Sequence, residues 1–196
     1  GNSMDLPTIT RVTVKPTGAC LGADIMGVDL SQPLDTAAFK LIEDAWHSHF
    51  VLRFRDQHLD DPRFLAFARR FGELDKAPVH AGREVEDPFP EITVMSNIKV
   101  DGKPIGNLGH YEAEWHTDMS YNEFTPIGSL LYAIEVPPAG GNTGFSNMYE
   151  AYDTLPADLR RAIVPLKCRH DSSRNSAGEL RKGYTEFSDP REAPGA

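Results

Sequence analysis

The stretch EWHTDMSY, from Glu114 to Tyr121, places His116 and Asp118 two residues apart. An imidazole and a carboxylate projecting together can supply two adjacent ligands to a divalent metal. Two histidines and one carboxylate on one face of an octahedron form the usual non-haem Fe(II) site, and the remaining positions stay open for a cosubstrate and oxygen. The same two residues also fit an ordinary surface turn in which the imidazole hydrogen-bonds its neighbour, and His-x-Asp alone does not separate the two readings. The segment reads as a strand, on which residues i and i+2 share a side. His116 and Asp118 are then expected to face the interior, with Trp115, Thr117 and Met119 on the other side.

The surrounding elements must position that pair. RVTVKP (residues 11–16) alternates polar and apolar and reads as a strand. LGADIMGVDL (21–30) reads as a second, loosened by Gly22 and Gly27. Asp35 can cap a helix running to Phe50, with Phe39, Ile42, Trp46 and Phe50 on one face. HFVLRF (49–54) reads as a buried strand. A second helix is expected over 61–71, with Asp61 as N-cap, Pro62 at the first helical position and Gly72 as the stop. Phe64, Phe67, Ala68 and Phe71 form its apolar face. Lys76 to Pro90 reads as a long surface loop. Strands are expected in EITVMSNI (91–98) and GSLLYAIEV (128–136), with turn signals at Asp101-Gly102 and Gly106 between them. PPAGGNTGFSN (137–147) is a turn feeding a strand or a helix start, and MYEAYDTLPADLRRAI (148–163) is helical but interrupted by Pro156. Helices come early and strands follow, which favours an α+β or β-rich domain over an alternating parallel sheet.

Composition narrows the partners. The 196 residues suit one domain with a sizeable core, expected over 5–196 after a tag scar, GNSM (1–4). A formal charge of -9 argues against a nucleic-acid partner. Arg69 and Arg70 read as a solvated helix face. No apolar run is long enough to span a bilayer and no secretory pattern opens the chain, so no membrane association is expected. Cys20 and Cys168 form no C-x-x-C pair, which suits a reduced cytoplasm.

Several landmarks occur together and in order: GADIMGVDLSQPL (22–34), FRDQ (54–57), FARRFGEL (67–74), WHTD (115–118) and PPAGGNT (137–143). Together they resemble the taurine and 2,4-D dioxygenase family over almost the whole chain from about Thr10. The resemblance implies a double-stranded β-helix, or jelly-roll, core with flanking helices. It implies Fe(II) as cofactor, held by His116 and Asp118, and 2-oxoglutarate as cosubstrate, with Thr143 contacting one of its carboxylates. The reaction implied is oxidation of a small organic acid by O2, with 2-oxoglutarate decarboxylated to succinate and a hydroxyl placed on a substrate carbon. Hydroxylation beside a heteroatom then breaks a C–S or C–O bond. Sulfonates, sulfate esters and aryloxyalkanoates are the substrate classes. Asn97, His80, Glu112 and Met119 are the candidates for the substrate pocket.

The chain departs from the family in three places. The family carries a distal iron-binding His and then an Arg that pairs with the far carboxylate of 2-oxoglutarate. The only His after Asp118 is His170, closer than that ligand, and it matches a structural His-Asp pair after the family's middle helix. The distal third of the domain is therefore expected to be lacking, so the chain should bind Fe(II) weakly. The exposed sheet edge should be covered by a second copy or by further residues. At the positions where a taurine-specific member has a His and an Asn, this chain has Ala77 and Glu112, which argues against taurine. Two other readings stay open: a jelly-roll binding module without catalysis, and a metal hydrolase using His116, Asp118 and His170. The hydrolase lacks an H-E-x-x-H pattern.

Overall fold

The computed structural model describes residues 11–76, 88–104, 106 and 114–195. Two compact units emerge. One joins the stretch ending at Leu74 with Tyr132–Ala162; the other joins Asp75–Leu131 with the stretch from Ile163 onward. Each is described by itself.

The first unit contains a three-stranded sheet. Strand β1 (Thr13–Pro16) pairs antiparallel with β2 (Ala23–Met26), with Val14 opposite Ile25. Strand β2 pairs parallel with the short β3 (Leu52–Arg53). A parallel pair needs a crossover, and helix α1 (Thr36–His49) supplies it. Asp35 caps α1 as expected, its carboxylate accepting from the Ala38 N–H at 2.7 Å. Ala38, Ile42 and Ala45 are buried on one face of the helix. Alternation along β2 buries Ala23 and Ile25. The core joins Ile25, Leu30, Ile42, Ala45 and Phe67. Glycine is required at position 27: φ is +76° there, and a Cβ would collide with the Arg11 carbonyl.

Four details correct the sequence reading here. Phe50 is not part of the buried helix face. It ends α1 with φ 67°, its N–H bonded to the Trp46 carbonyl, and its ring stacks on Tyr149 at 5.2 Å. The strand expected over 49–54 shrinks to two residues, because only Ala23 and Asp24 of β2 are opposite it. Helix α2 (Asp61–Arg69) is capped by Asp60, one residue earlier than expected, with Asp60 accepting from the Arg63 N–H at 3.0 Å. It also ends before Phe71. Phe71 lies beyond the helix among Phe39, Trp46 and Phe67, with ring centroids 5.0–5.4 Å away in edge-on geometry.

FRDQ has a structural explanation. The Gln57 side chain accepts from the Leu30 N–H at 2.8 Å and donates to the Val28 carbonyl at 3.0 Å, closing the loop after β2. Helices α3 (Met148–Asp153) and α4 (Ala157–Ile163) are separated at Pro156 as expected, and Asn147 caps α3.

The second unit has little regular structure. Its hairpin joins β4 (Lys99–Val100) to β5 (Lys103–Pro104) through Asp101 and Gly102, both with positive φ, as an Asp-Gly turn demands. The strands expected in 91–98 and in 128–136, whose residues from Tyr132 on belong to the first unit, are not formed. Among the described residues no neighbouring strand pairs with either segment, and a β ladder needs one to satisfy its N–H and C=O groups. The remainder of the unit is tied by polar contacts. Ser172 and Ser173 are buried, Ser172 donates through both N–H and hydroxyl to the Pro194 carbonyl, and Arg169 donates to the Ala193 carbonyl at 2.6 Å. A one-turn 3-10 helix (Pro190–Glu192) precedes Ala193.

Candidate functional site

His116 and Asp118 do come together, by a route other than the expected strand. The segment 114–122 is an irregular turn, and Met119 adopts φ 52°. Left-handed backbone at a residue with a side chain costs on the order of 1 kcal/mol. The turn closes with the Asn122 N–H on the Met119 carbonyl at 3.1 Å. His116 Nε2 lies 2.9 Å from Asp118 Oδ1. Neither group faces a closed interior: the side chains are 41% and 63% exposed. Trp115 is also exposed.

The other imidazole nitrogen decides what the pair can do. His116 Nδ1 lies 2.6 Å from the Glu114 carbonyl oxygen. A carbonyl only accepts, so Nδ1 carries a proton and donates it. In the neutral ring Nε2 then presents a lone pair to a carboxylate oxygen. Two such groups at 2.9 Å need positive charge between them, either a proton or a metal ion. A ring N–H held by a backbone carbonyl is also the usual support for a metal-ligating histidine, because it fixes the tautomer and the ring plane. Nitrogen and carboxylate oxygen suit Fe(II) and similar divalent ions. The donor set present thus fits a metal through two ligands. Among the described residues no group of three His, Cys, Asp or Glu side chains is gathered for one ion.

Three contacts from one later stretch hold this turn. The Glu114 N–H donates to the Ser176 carbonyl at 2.9 Å. Ser120 Oγ and His170 Nδ1 are hydrogen-bonded at 2.9 Å. The Arg181 guanidinium donates to the Tyr121 hydroxyl at 2.8 Å and lies over the same ring at 4.9 Å. The resemblance marked His170 as structural but gave no partner for it or for Arg181, since the bonded residues are 50 and 60 positions apart. Asp171, beside His170, accepts from the Ser173 N–H at 2.8 Å. Ser173 holds its carboxyl below the ordinary value, its N–H being the group hydrogen-bonded to the carboxylate.

The remaining candidates fall elsewhere along the chain. Thr143 belongs to the first unit, exposed between Gly141 and α3. Gly140 and Gly141 have φ 78° and 69°, a left-handed pair open mainly to glycine, which explains the Gly-Gly of that motif. Asn97 is exposed before β4, and among the described residues no hydrogen bond joins it to His116 or Asp118. Met119 contributes the strained backbone of the turn and a half-buried side chain. His80, Glu112 and Ala77 lie outside the described residues.

A family model described as "Taurine catabolism dioxygenase TauD, TfdA family" matches residues 13–194. Pentalenolactone F synthase of Streptomyces avermitilis is 37% identical over 184 residues, covering 91% of this chain and 55% of that protein. The alpha-ketoglutarate-dependent 2,4-dichlorophenoxyacetate dioxygenase of Cupriavidus pinatubonensis is 32% identical over 168 residues, covering 81% of this chain and 58% of that one. A solved taurine dioxygenase from Burkholderia xenovorans superposes with a TM-score of 0.63 at 32% identity, over 78% of this chain and 51% of that chain. The chain spans about half the length of the curated relatives it matches.

Proposed function

The chain belongs to the taurine catabolism dioxygenase TauD, TfdA family, and on that premise we propose that it carries the iron-ligand motif of an Fe(II)- and 2-oxoglutarate-dependent dioxygenase acting on a small organic acid. The supporting observation is the His116–Asp118 pair, with Nδ1 tied to a carbonyl and Nε2 turned toward the carboxylate. When bound, iron with 2-oxoglutarate supplies the activation of O2 needed to hydroxylate a substrate C–H bond. His116 binds through Nε2 in the tautomer that Glu114 enforces. Asp118 supplies the anionic oxygen. Thr143 holds a 2-oxoglutarate carboxylate through its hydroxyl, on a turn shaped by Gly140 and Gly141. Asn97, His80, Glu112 and Met119 are the residues proposed to bind the substrate.

The fold proposed for the family-length protein is the jelly roll, as one domain, since the family match runs through both compact units. The substrate is an aryloxyalkanoate, sulfate ester or sulfonate. The first class is supported by the 2,4-dichlorophenoxyacetate named for one relative. Taurine is disfavoured by Ala77 and Glu112. A formal charge of -9 disfavours nucleic acid. No helix among the described residues is long and apolar enough to cross a membrane. The cytoplasm is the proposed location. Anaerobic calorimetric titration of Fe(II) into the chain, with 2-oxoglutarate present, tests the metal reading. Saturable binding that disappears in His116→Ala and Asp118→Ala is expected. Equal binding by both variants would overturn the assignment, and no binding by the parent chain would turn the reading to a jelly-roll binding module.

A further inference from the structure

We infer that the stretch from His170 to Arg181 is a cradle for the candidate metal-ligand turn, and that His170 is a positioning residue acting through Ser120. The inference rests on the reading of His116 and Asp118 as metal ligands. Its own ground is the distribution of anchors. The turn is exposed, carries left-handed backbone at Met119, and lacks both helix and strand hydrogen bonding. Such a turn has no intrinsic reason to keep one shape. Two anchors follow Asp118 within three residues, at Ser120 and Tyr121, and one precedes His116, at Glu114. All three partners come from one segment. That segment is itself closed: the Arg181 N–H donates to the Ser173 carbonyl at 2.7 Å, and the Asn175 N–H donates to the Glu179 carbonyl at 2.9 Å. Arg174 also pairs with Glu186 at 2.6–2.7 Å. The Glu114 that is held through its N–H is the residue whose carbonyl fixes the His116 ring. The cradle therefore reaches both ligands, one from each end of the turn.

His170 acts here by position and not as a ligand. Its Nδ1 is engaged by Ser120, and among the described residues no three-donor group includes it. An asparagine at 170 can present an amide nitrogen close to the place of Nδ1 and keep the bond to Ser120, whereas alanine cannot.

The experiment uses the 196-residue chain and two readouts. Amide hydrogen exchange of the 114–122 peptide, without metal, reports the turn itself. Co(II) binding, followed by its visible absorption, reports the ligands. His170→Ala and Ser120→Ala should each speed exchange in 114–122 while α1 stays protected, and each should weaken Co(II) binding about tenfold, the lower end for supports of metal ligands. The double variant should lose no more than either single one, and His170→Asn should recover most of both signals. Ser120→Ala guards against misfolding at position 170, since it removes the same bond by a small truncation. Unchanged exchange in both alanine variants would overturn the cradle. So would abolished Co(II) binding in His170→Ala that His170→Asn fails to restore while exchange is normal, for His170 would then be the third ligand. If the parent chain binds no Co(II) yet the exchange pattern holds, the cradle stands and the metal reading falls.

Discussion

The two units of this chain are held by different forces. In the first, apolar side chains repeat at helical and strand periods and meet in one core: Ile25, Leu30, Ile42, Ala45 and Phe67, ringed by aromatic edges at Phe71. In the second, the buried residues among those described are Ser172, Ser173 and Ala193, and the ties are backbone groups, serines, arginines and carboxylates. Burial of an apolar side chain is non-directional and forgiving, and it builds a scaffold. Hydrogen bonds are directional and weaker one by one, and they set the geometry of a few atoms. The candidate metal ligands belong to the second kind of region, where a turn is shaped by specific donors and acceptors.

The comparison breaks most sharply at Ile42, which is fully buried. Ile42→Ala should cost about 2–5 kcal/mol in urea unfolding, from lost transfer energy and the cavity left behind. No single polar deletion in the second unit should match it. A smaller effect is expected from Gly27→Ala. The collision with the Arg11 carbonyl and the positive φ together should destabilise by about 1–3 kcal/mol, visible as a lowered thermal midpoint. Asp35→Ala removes the cap of α1 and should cost about 1 kcal/mol by the same measurement.

Acid should act on both units for unlike reasons. The Arg53 guanidinium, bonded at 2.7 and 3.0 Å, holds the Asp24 carboxyl below its ordinary value, and Ser173 does the same for Asp171. In each the folded pKa is the lower one. The stabilisation is complete above the unfolded value near 3.8 and is lost as pH falls through the lowered folded value. Salt should shrink the Asp24 contribution by screening Arg53 and change that of Asp171 less, because Ser173, ahead of the nearby Arg174 charge, is its main support. Unfolding curves at two ionic strengths, with Asp24→Asn and Asp171→Asn as controls, check this smallest effect. An equal salt response in both would mean that charge supports the two units alike.

Much of the first unit was legible beforehand. The Asp35 cap, the two helices and the break at Pro156 there, like the Asp-Gly hairpin turn of the second unit, are decided by residues within a few positions of one another, so local chemistry specifies them. The N-cap of α2 was misplaced by one residue because Asp60 and Asp61 are both able caps, and only the bond to the Arg63 N–H chooses between them. The segments 91–98 and 128–136 have the side chains of strands without a paired neighbour among the described residues, and composition cannot supply a partner.

By itself the sequence determined the residue types of the candidate site, through His116, Asp118 and Thr143, and membership of a family through landmarks in order. Only the tertiary structure decided how the first two are held. It replaced the expected strand by a left-handed turn at Met119, fixed the His116 tautomer on the Glu114 carbonyl, and drew His170 and Arg181 onto Ser120 and Tyr121. The reason is range. Caps and periodicities are interactions between near neighbours and can be read along the chain. A hydrogen bond between residues 50 or 60 positions apart exists only once the intervening chain has folded.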